Sequence, residues 1–141
     1  MQSPDIAISD RATAEDLQFL EDQVNEYNFA TTAIRDARLL VILLRDSDRR
    51  IYAGLSGHTW GGVAEIRFLW VDEARRRQGI GARLLHAAED EARVRGCTKI
   101  VLSSHSFQAP GFYMRNGYVV SGGFADYPRG YSSIFLEKPL R

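Results

Sequence analysis

Apolar and polar positions change period twice along this chain, and each change marks a different kind of element. Leu17, Leu20, Val24 and Tyr27 recur at helical spacing, with Thr13 ahead of them and Glu15 and Asp16 in the first turn. This predicts a helix over about Ala14 to Tyr27, N-capped by Thr13. Ile6 to Ser9 reads as a short first strand, and Phe29 to Asp36 as a loop. Arg38 to Arg45 is apolar and β-rich, and Asp46-Ser47-Asp48 closes it with a turn. Ile51 to Thr59 predicts another strand, Trp60-Gly61-Gly62 a second hairpin, and Val63 to Val71 the strand that completes an antiparallel meander.

Beyond Val71 the helical period returns. Ile80, Leu84, Leu85, Ala88 and Ala92 share one face, opposite Arg83, His86, Glu89, Asp90 and Arg93. Gly96 predicts the left-handed residue that ends this helix. Thr98 to Ser103 is a compact buried strand, so strand, helix and strand imply a parallel crossover. Pro110 opens a short helix and Gly117 closes it. Tyr118 to Ser121 and Ser133 to Glu137 supply the last strands. The sum is an α/β fold, a mixed sheet of six to seven strands with helices on both faces, in one three-layer α/β/α domain over residues 1–141.

Composition narrows the function. Lys+Arg and Asp+Glu each total 18, so net charge argues against nucleic acid or an anionic membrane as partner. Met1 to Asp10 lacks the charged-then-apolar pattern of a signal peptide, and no apolar run reaches bilayer length. A cytoplasmic protein is expected. The single cysteine, Cys97, reads as a small core residue, and His58, His86 and His105 show no metal-ligand spacing; no metal is expected.

The chemistry concentrates at Arg76-Arg77-Gln78-Gly79-Ile80-Gly81, a turn from strand to helix. Two glycines let backbone N–H groups point outward, and the helix start adds unpaired donors and a positive dipole end. This suits a phosphate or pyrophosphate. A P-loop requires Lys-Ser/Thr after its last glycine, and Ala82-Arg83 stands here. A dinucleotide fingerprint requires a third glycine, and Leu84 occupies that place.

The Arg-x-x-Gly-x-Gly that remains resembles the pyrophosphate loop of the GNAT superfamily of N-acetyltransferases. Val71-Asp72-Glu73 ahead of it and Phe112-Tyr113-Met114-Arg115-Asn116-Gly117-Tyr118 after it are similar to further motifs of that family. Ser106-Phe107-Gln108-Ala109-Pro110 with Phe112-Tyr113 is similar to a subgroup of small bacterial members. The resemblance spans roughly Arg38 to Leu136.

It implies the GNAT fold, splayed between the fourth and fifth strands, Val63 to Val71 and Thr98 to Ser103, after Val71. It implies acetyl-CoA as co-substrate, with backbone amides from Arg77 to Ala82 on its pyrophosphate and Leu69, Trp70 and Val71 along its pantetheine arm. Arg75, Arg76 and Arg77 either contact phosphates or form a solvated charge cluster. Ser106 stands where the family often has an asparagine at the cofactor arm. Tyr113 matches the general acid that protonates the leaving thiolate; the alternative is a core aromatic.

An alkylammonium must lose a proton before it attacks. Glu65 matches the offset of a glutamate base in some members, and otherwise forms an exposed pair with Arg67. Strict alternation puts Glu65, Arg67, Leu69 and Val71 on one face. His105, Asp72 and Glu73 are lesser candidates. Asn25, Tyr27, Asn28 and Phe29, with the Trp60 hairpin and Asp126-Tyr127-Pro128, are expected to wall the acceptor site. The function implied is direct transfer of acetyl to a primary amine, whether a small amine, an amino acid derivative, a drug-like amine or a peptide. A non-catalytic acyl-CoA sensor is the alternative. The C-terminal strands offer an edge for a homodimer.

Overall fold

The computed structural model describes residues 3–141. They form two compact units, one ending at Arg35 and the other spanning Asp36–Arg141. The first unit holds one helix, α1 (Ala14–Thr32). The Thr13 hydroxyl caps it, accepting the Asp16 N–H at 3.0 Å. Ile6 to Ser9, expected as a strand, is irregular, since a strand without a ladder leaves its backbone groups unpaired. The helix also runs past Tyr27. Asn28 to Thr32 contains no Gly or Pro to stop it, and it ends where Ala33 turns left-handed (φ 59°) and donates its N–H to the Phe29 carbonyl. The expected loop therefore begins at Ala33.

The second unit is built on a six-stranded mixed sheet of order β1-β2-β3-β4-β6-β5. β1 (Arg38–Arg45), β2 (Ile51–Trp60) and β3 (Val63–Val71) form the predicted meander. Helix α2 (Ile80–Val94) crosses to β4 (Lys99–His105), which pairs parallel with β3. After α3 (Pro110–Arg115), β5 (Val119–Ala125) forms the far edge and β6 (Ser132–Pro139) inserts antiparallel between β5 and β4.

Helix α2 covers one face of the sheet. Leu85, Ala88 and Ala92 are fully buried against Leu55, Ala64, Ile66, Ile100 and Leu136. Each buried leucine or isoleucine contributes roughly 1.5–3 kcal/mol. The helix ends as its sequence predicts: Gly96 adopts φ 81° and the Cys97 N–H donates to the Ala92 carbonyl at 2.8 Å. One polar group enters this layer. Glu89, 3% exposed, accepts the Tyr118 hydroxyl at 2.9 Å and pairs with the Lys138 ammonium at 3.0 Å. That ammonium also donates to the Asn116 carbonyl at the end of α3.

Two irregularities in β3 shape the site. Ser56 pairs with Phe68 and Gly57 with Ile66, so Arg67 is opposite no residue of β2. This bulge shifts the alternation by one residue. Ala64 and Ile66 are buried under α2, and beyond the bulge Leu69 and Val71 pack against the core. Phe68 and Trp70, 69% and 48% exposed, lie on the other face. Strict alternation had placed Glu65 with Leu69 and Val71; the bulge separates them. Gly57 permits it, because a Cβ there would collide with the Glu65 carbonyl oxygen.

The second irregularity is the splay. β3 and β4 pair only from Val63↔Lys99 to Ile66↔Leu102. The parting expected after Val71 begins after Ile66 instead. Beyond it β4 follows β6 through His105↔Ser133, while β3 stays with β2 through Val71↔Ala53.

Candidate active site

The parting strands open a groove of about 940 Å³. Leu69 and Val71 line it, and so do Phe68 and Trp70 from the opposite face of β3. The gap is therefore reached from both faces of the sheet. Ser103 and Ser104 form the β4 wall.

At one end stands the start of α2. Its N-cap is Gly79 (φ 75°), with no side-chain hydrogen bond to the helix and no acidic residue in the first turn. The contrast with α1 is direct, since Thr13, Glu15 and Asp16 satisfy and neutralise that N-terminus. Here Ile80, Gly81 and Ala82 begin the helix, so their N–H groups lack intrahelical partners. Arg77 is held at φ 66°, a left-handed conformation that costs a non-glycine residue about 1 kcal/mol. Left-handed turns of this kind cup the backbone N–H groups around an anion.

Arg75, Arg76, Arg77, Gly79, Ile80, Gly81 and Ala82 all line the groove. The Arg76 Nε donates to the Val71 carbonyl at 3.1 Å, which ties the loop to the end of β3. A Cβ on Gly81 would sit 3.3 Å from the Phe112 ring, so glycine keeps the wall between α2 and α3 thin. The donor set fits a pyrophosphate: backbone amides, arginines and no carboxylate.

Tyr113 lines the same groove from α3. Its ring packs edge-on to Phe112 and Tyr118, with centroids 5.1 and 5.8 Å away. Burial pushes its pKa above the usual 10, so it is protonated at neutral pH. Among the described residues its hydroxyl has no hydrogen-bond partner, which leaves that proton free to donate. Tyr118, two per cent exposed and bonded to Glu89, does not line the groove.

Other expected residues lie elsewhere. The Glu65 carboxylate stands on the face opposite α2, 3.3 Å from the His58 Nε2, and does not line the groove. The Gln78 side chain is also outside it. Ser106 continues the β4–β6 ladder. Its N–H donates to the Ser132 carbonyl and its hydroxyl accepts the Ser132 N–H at 3.0 Å, and it is not among the residues that line the groove. Trp60 sits beside Val63, at the end of β3 away from Val71, and lines a separate pocket of about 100 Å³ with Arg95 and Cys97. It cannot rim the groove. Burial raises the Cys97 thiol, with Arg95 opposing, so it is no thiolate nucleophile at neutral pH.

Sequence reasoning missed Arg67, Phe68, Ser103, Ser104 and Arg115 as lining residues. The only available signal was Gly57 inside a strand, a mark of bulges. At the end of β4, His105 stacks on Phe107 (5.5 Å), and its Nδ1 lies 3.1 Å from the Tyr127 carbonyl. When neutral, that ring donates from Nδ1 and keeps Nε2 as an acceptor.

A parallel pair that parts beside an uncapped helix N-terminus, with Tyr113 on the same groove, forms the candidate site. The model of the Acetyltransferase (GNAT) family matches residues 8–118. An acetyltransferase of Agrobacterium fabrum is 37% identical over 131 residues, covering 93% of this chain and 96% of its own. The blasticidin-S acetyltransferase of Streptomyces morookaense is 42% identical over 88 residues, covering 62% of this chain and 65% of its own. A crystal structure from Agrobacterium tumefaciens superimposes with a TM-score of 0.89 at 36% identity, covering 96% of this chain and 99% of that one. The chain belongs to the GNAT acetyltransferase family.

Proposed function

We propose that this protein is an acetyl-CoA-dependent N-acetyltransferase that moves the acetyl group to a primary amine by direct attack in a ternary complex. The observation that carries this reading is the gap between β3 and β4, which ends at the uncapped start of α2. The loop from Arg76 to Ala82 holds the pyrophosphate. The free edge of Leu69, Trp70 and Val71 receives the pantetheine arm as an added strand would. The sulfur then falls near the point where the strands part, within reach of the groove that Tyr113 lines.

Tyr113 donates its proton to the departing thiolate. Amine deprotonation falls to Glu65 through water, on the face where Phe68 and Trp70 open the gap, or to the free Nε2 of His105. Comparing Glu65→Gln and His105→Gln in single-turnover assays separates these two. The gap is open to both faces, so donor and acceptor enter from opposite sides, and no acyl-enzyme is required. The family match crosses the junction at Arg35, which supports one GNAT domain over the 141 residues. Its relatives are bacterial, in keeping with the bacterial cytoplasmic enzyme of this reading; no helix among the described residues is long and apolar enough to cross a membrane. The exposed edge strand β5 suits a homodimer, which light scattering tests.

The deciding experiment is thiol release from acetyl-CoA over an amine panel. Tyr113→Phe is expected to lower kcat by about 10²-fold, the usual size of an acid–base contribution, with acetyl-CoA affinity retained. Full turnover in that variant would remove Tyr113 as the acid. Binding of acetyl-CoA with no release for any amine would point to an acyl-CoA sensor.

A further inference from the structure

We propose that Arg67 receives an anionic group of the acceptor, so that the substrates are amines carrying a carboxylate near the nitrogen, in the manner of an amino acid. The inference rests on the acetyltransferase reading above and names the acceptor class for the same groove. Arg67 is the bulged residue of β3 and the first one after the last β3–β4 pair. It therefore stands at the vertex of the gap. Val71 is four positions further along the strand, roughly 13 Å at about 3.3 Å per residue, and the arginine loop lies beyond that. Arg67 is thus remote from the phosphate cradle and close to where the acyl group must meet the amine.

Its side chain is exposed and lines the groove. Among the described residues it meets no carboxylate; its guanidinium contacts only the Phe68 ring, at 6.0 Å. Arg93 and Arg95, by comparison, are held by Asp90 and Glu91. The nearest acid along β3, Glu65, is already paired with His58 and lies outside the groove.

The groove has no Asp or Glu in its lining. A polyamine or simple alkylamine finds nothing there to balance its charge, whereas an amino acid brings its own anion. A planar guanidinium suits a carboxylate through two parallel hydrogen bonds. Ser103, on the facing strand, offers a further donor. The same cation also favours the neutral form of a nearby amine, which is the form that attacks.

The test pairs each amino acid with its carboxamide and with the amine lacking the carboxylate, reading thiol release from acetyl-CoA. Charge-assisted hydrogen bonds to the guanidinium predict kcat/KM at least about tenfold higher for the acids. Chemistry alone runs the other way, because the amide's nitrogen is less basic and more of it is neutral. Arg67→Gln should raise the acceptor KM about tenfold or more, bring acid and amide within about twofold, and leave the acetyl-CoA KM unchanged; Arg67→Lys should recover part of the preference. Circular dichroism confirms that the variants are folded. Equal or better use of amides and alkylamines overturns the inference while leaving the transferase reading intact. A matching rise in acetyl-CoA KM also overturns it, by returning Arg67 to the donor. A thermal shift with acetyl-CoA but no transfer to any amine sinks both.

Discussion

The acid role proposed for Tyr113 rests on what its hydroxyl lacks. Its neighbour Tyr118 donates its hydroxyl to Glu89 and is buried, whereas the Tyr113 hydroxyl at the wall of the groove has no hydrogen-bond partner among the described residues. Burial raises the Tyr113 pKa, so the proton is present through and beyond the neutral range. The rate should therefore rise with pH as the bound amine loses its proton, and show no descending limb before about pH 10. A pH profile of kcat from 6 to 10 checks this, with enzyme integrity followed at each pH. A fall centred below about pH 9 would mean that some other acid controls the step.

At the scale of elements, the site is made by departures from regularity. β3 bulges at Arg67 and parts from β4 after Ile66, and α2 starts without a side-chain cap. Gly57→Ala should put a Cβ into the Glu65 carbonyl, force the bulge to move, and destabilise the domain by about 2–3 kcal/mol in urea titrations. Loss of acetyl-CoA affinity should accompany it, because the edge from Leu69 to Val71 shifts with the bulge. The Glu89–Lys138 pair anchors α3 from below. Glu89→Leu strands the Lys138 ammonium, and about 2–4 kcal/mol of stability should be lost, somewhat under the range for fully buried pairs because Lys138 keeps partial exposure. Unchanged urea midpoints in that variant would show that Lys138 finds solvent without cost.

The same departures decide what was legible in the sequence. Helix α2, its Gly96 end, the Thr13 cap and the meander follow from period and punctuation, which are local properties. The Arg76–Ala82 loop and Tyr113 stand out through resemblance to GNAT motifs, and both line one groove. The bulge is not local: it depends on how Ser56 and Gly57 register with Phe68 and Ile66. A strict alternation therefore put Arg67 and Leu69 on one face, and Glu65 looked closer to the groove than it is. The engagement of Ser106 in the β4–β6 ladder is hidden for a similar reason, since its partner Ser132 lies 26 residues away. The Trp60 hairpin failed on strand direction alone, for β3 carries its C-terminal end, not its start, to the groove.

Across the whole molecule, groups held protonated by burial link stability to alkaline pH. Burial raises Tyr113 and Cys97, and burial with the Glu89 carboxylate raises Tyr118 far above 10. In the unfolded chain the thiol titrates at about 8.5 and the phenols at about 10. Above those values the unfolded chain has released protons that the folded chain still holds. Stability therefore falls as pH rises, beginning at about pH 8.5, and the contribution is complete below that point. Thermal melts from pH 7 to 11 should show a flat region followed by a steady decline. Tyr118→Phe isolates one member of the set. It should be less stable at pH 7 by about 1–2 kcal/mol, since Glu89 loses a donor in a buried place. It also lacks the phenol whose ionisation favours unfolding, so its curve should converge on that of the parent above about pH 10. Parallel curves would show that the Tyr118 hydroxyl does not couple protonation to folding.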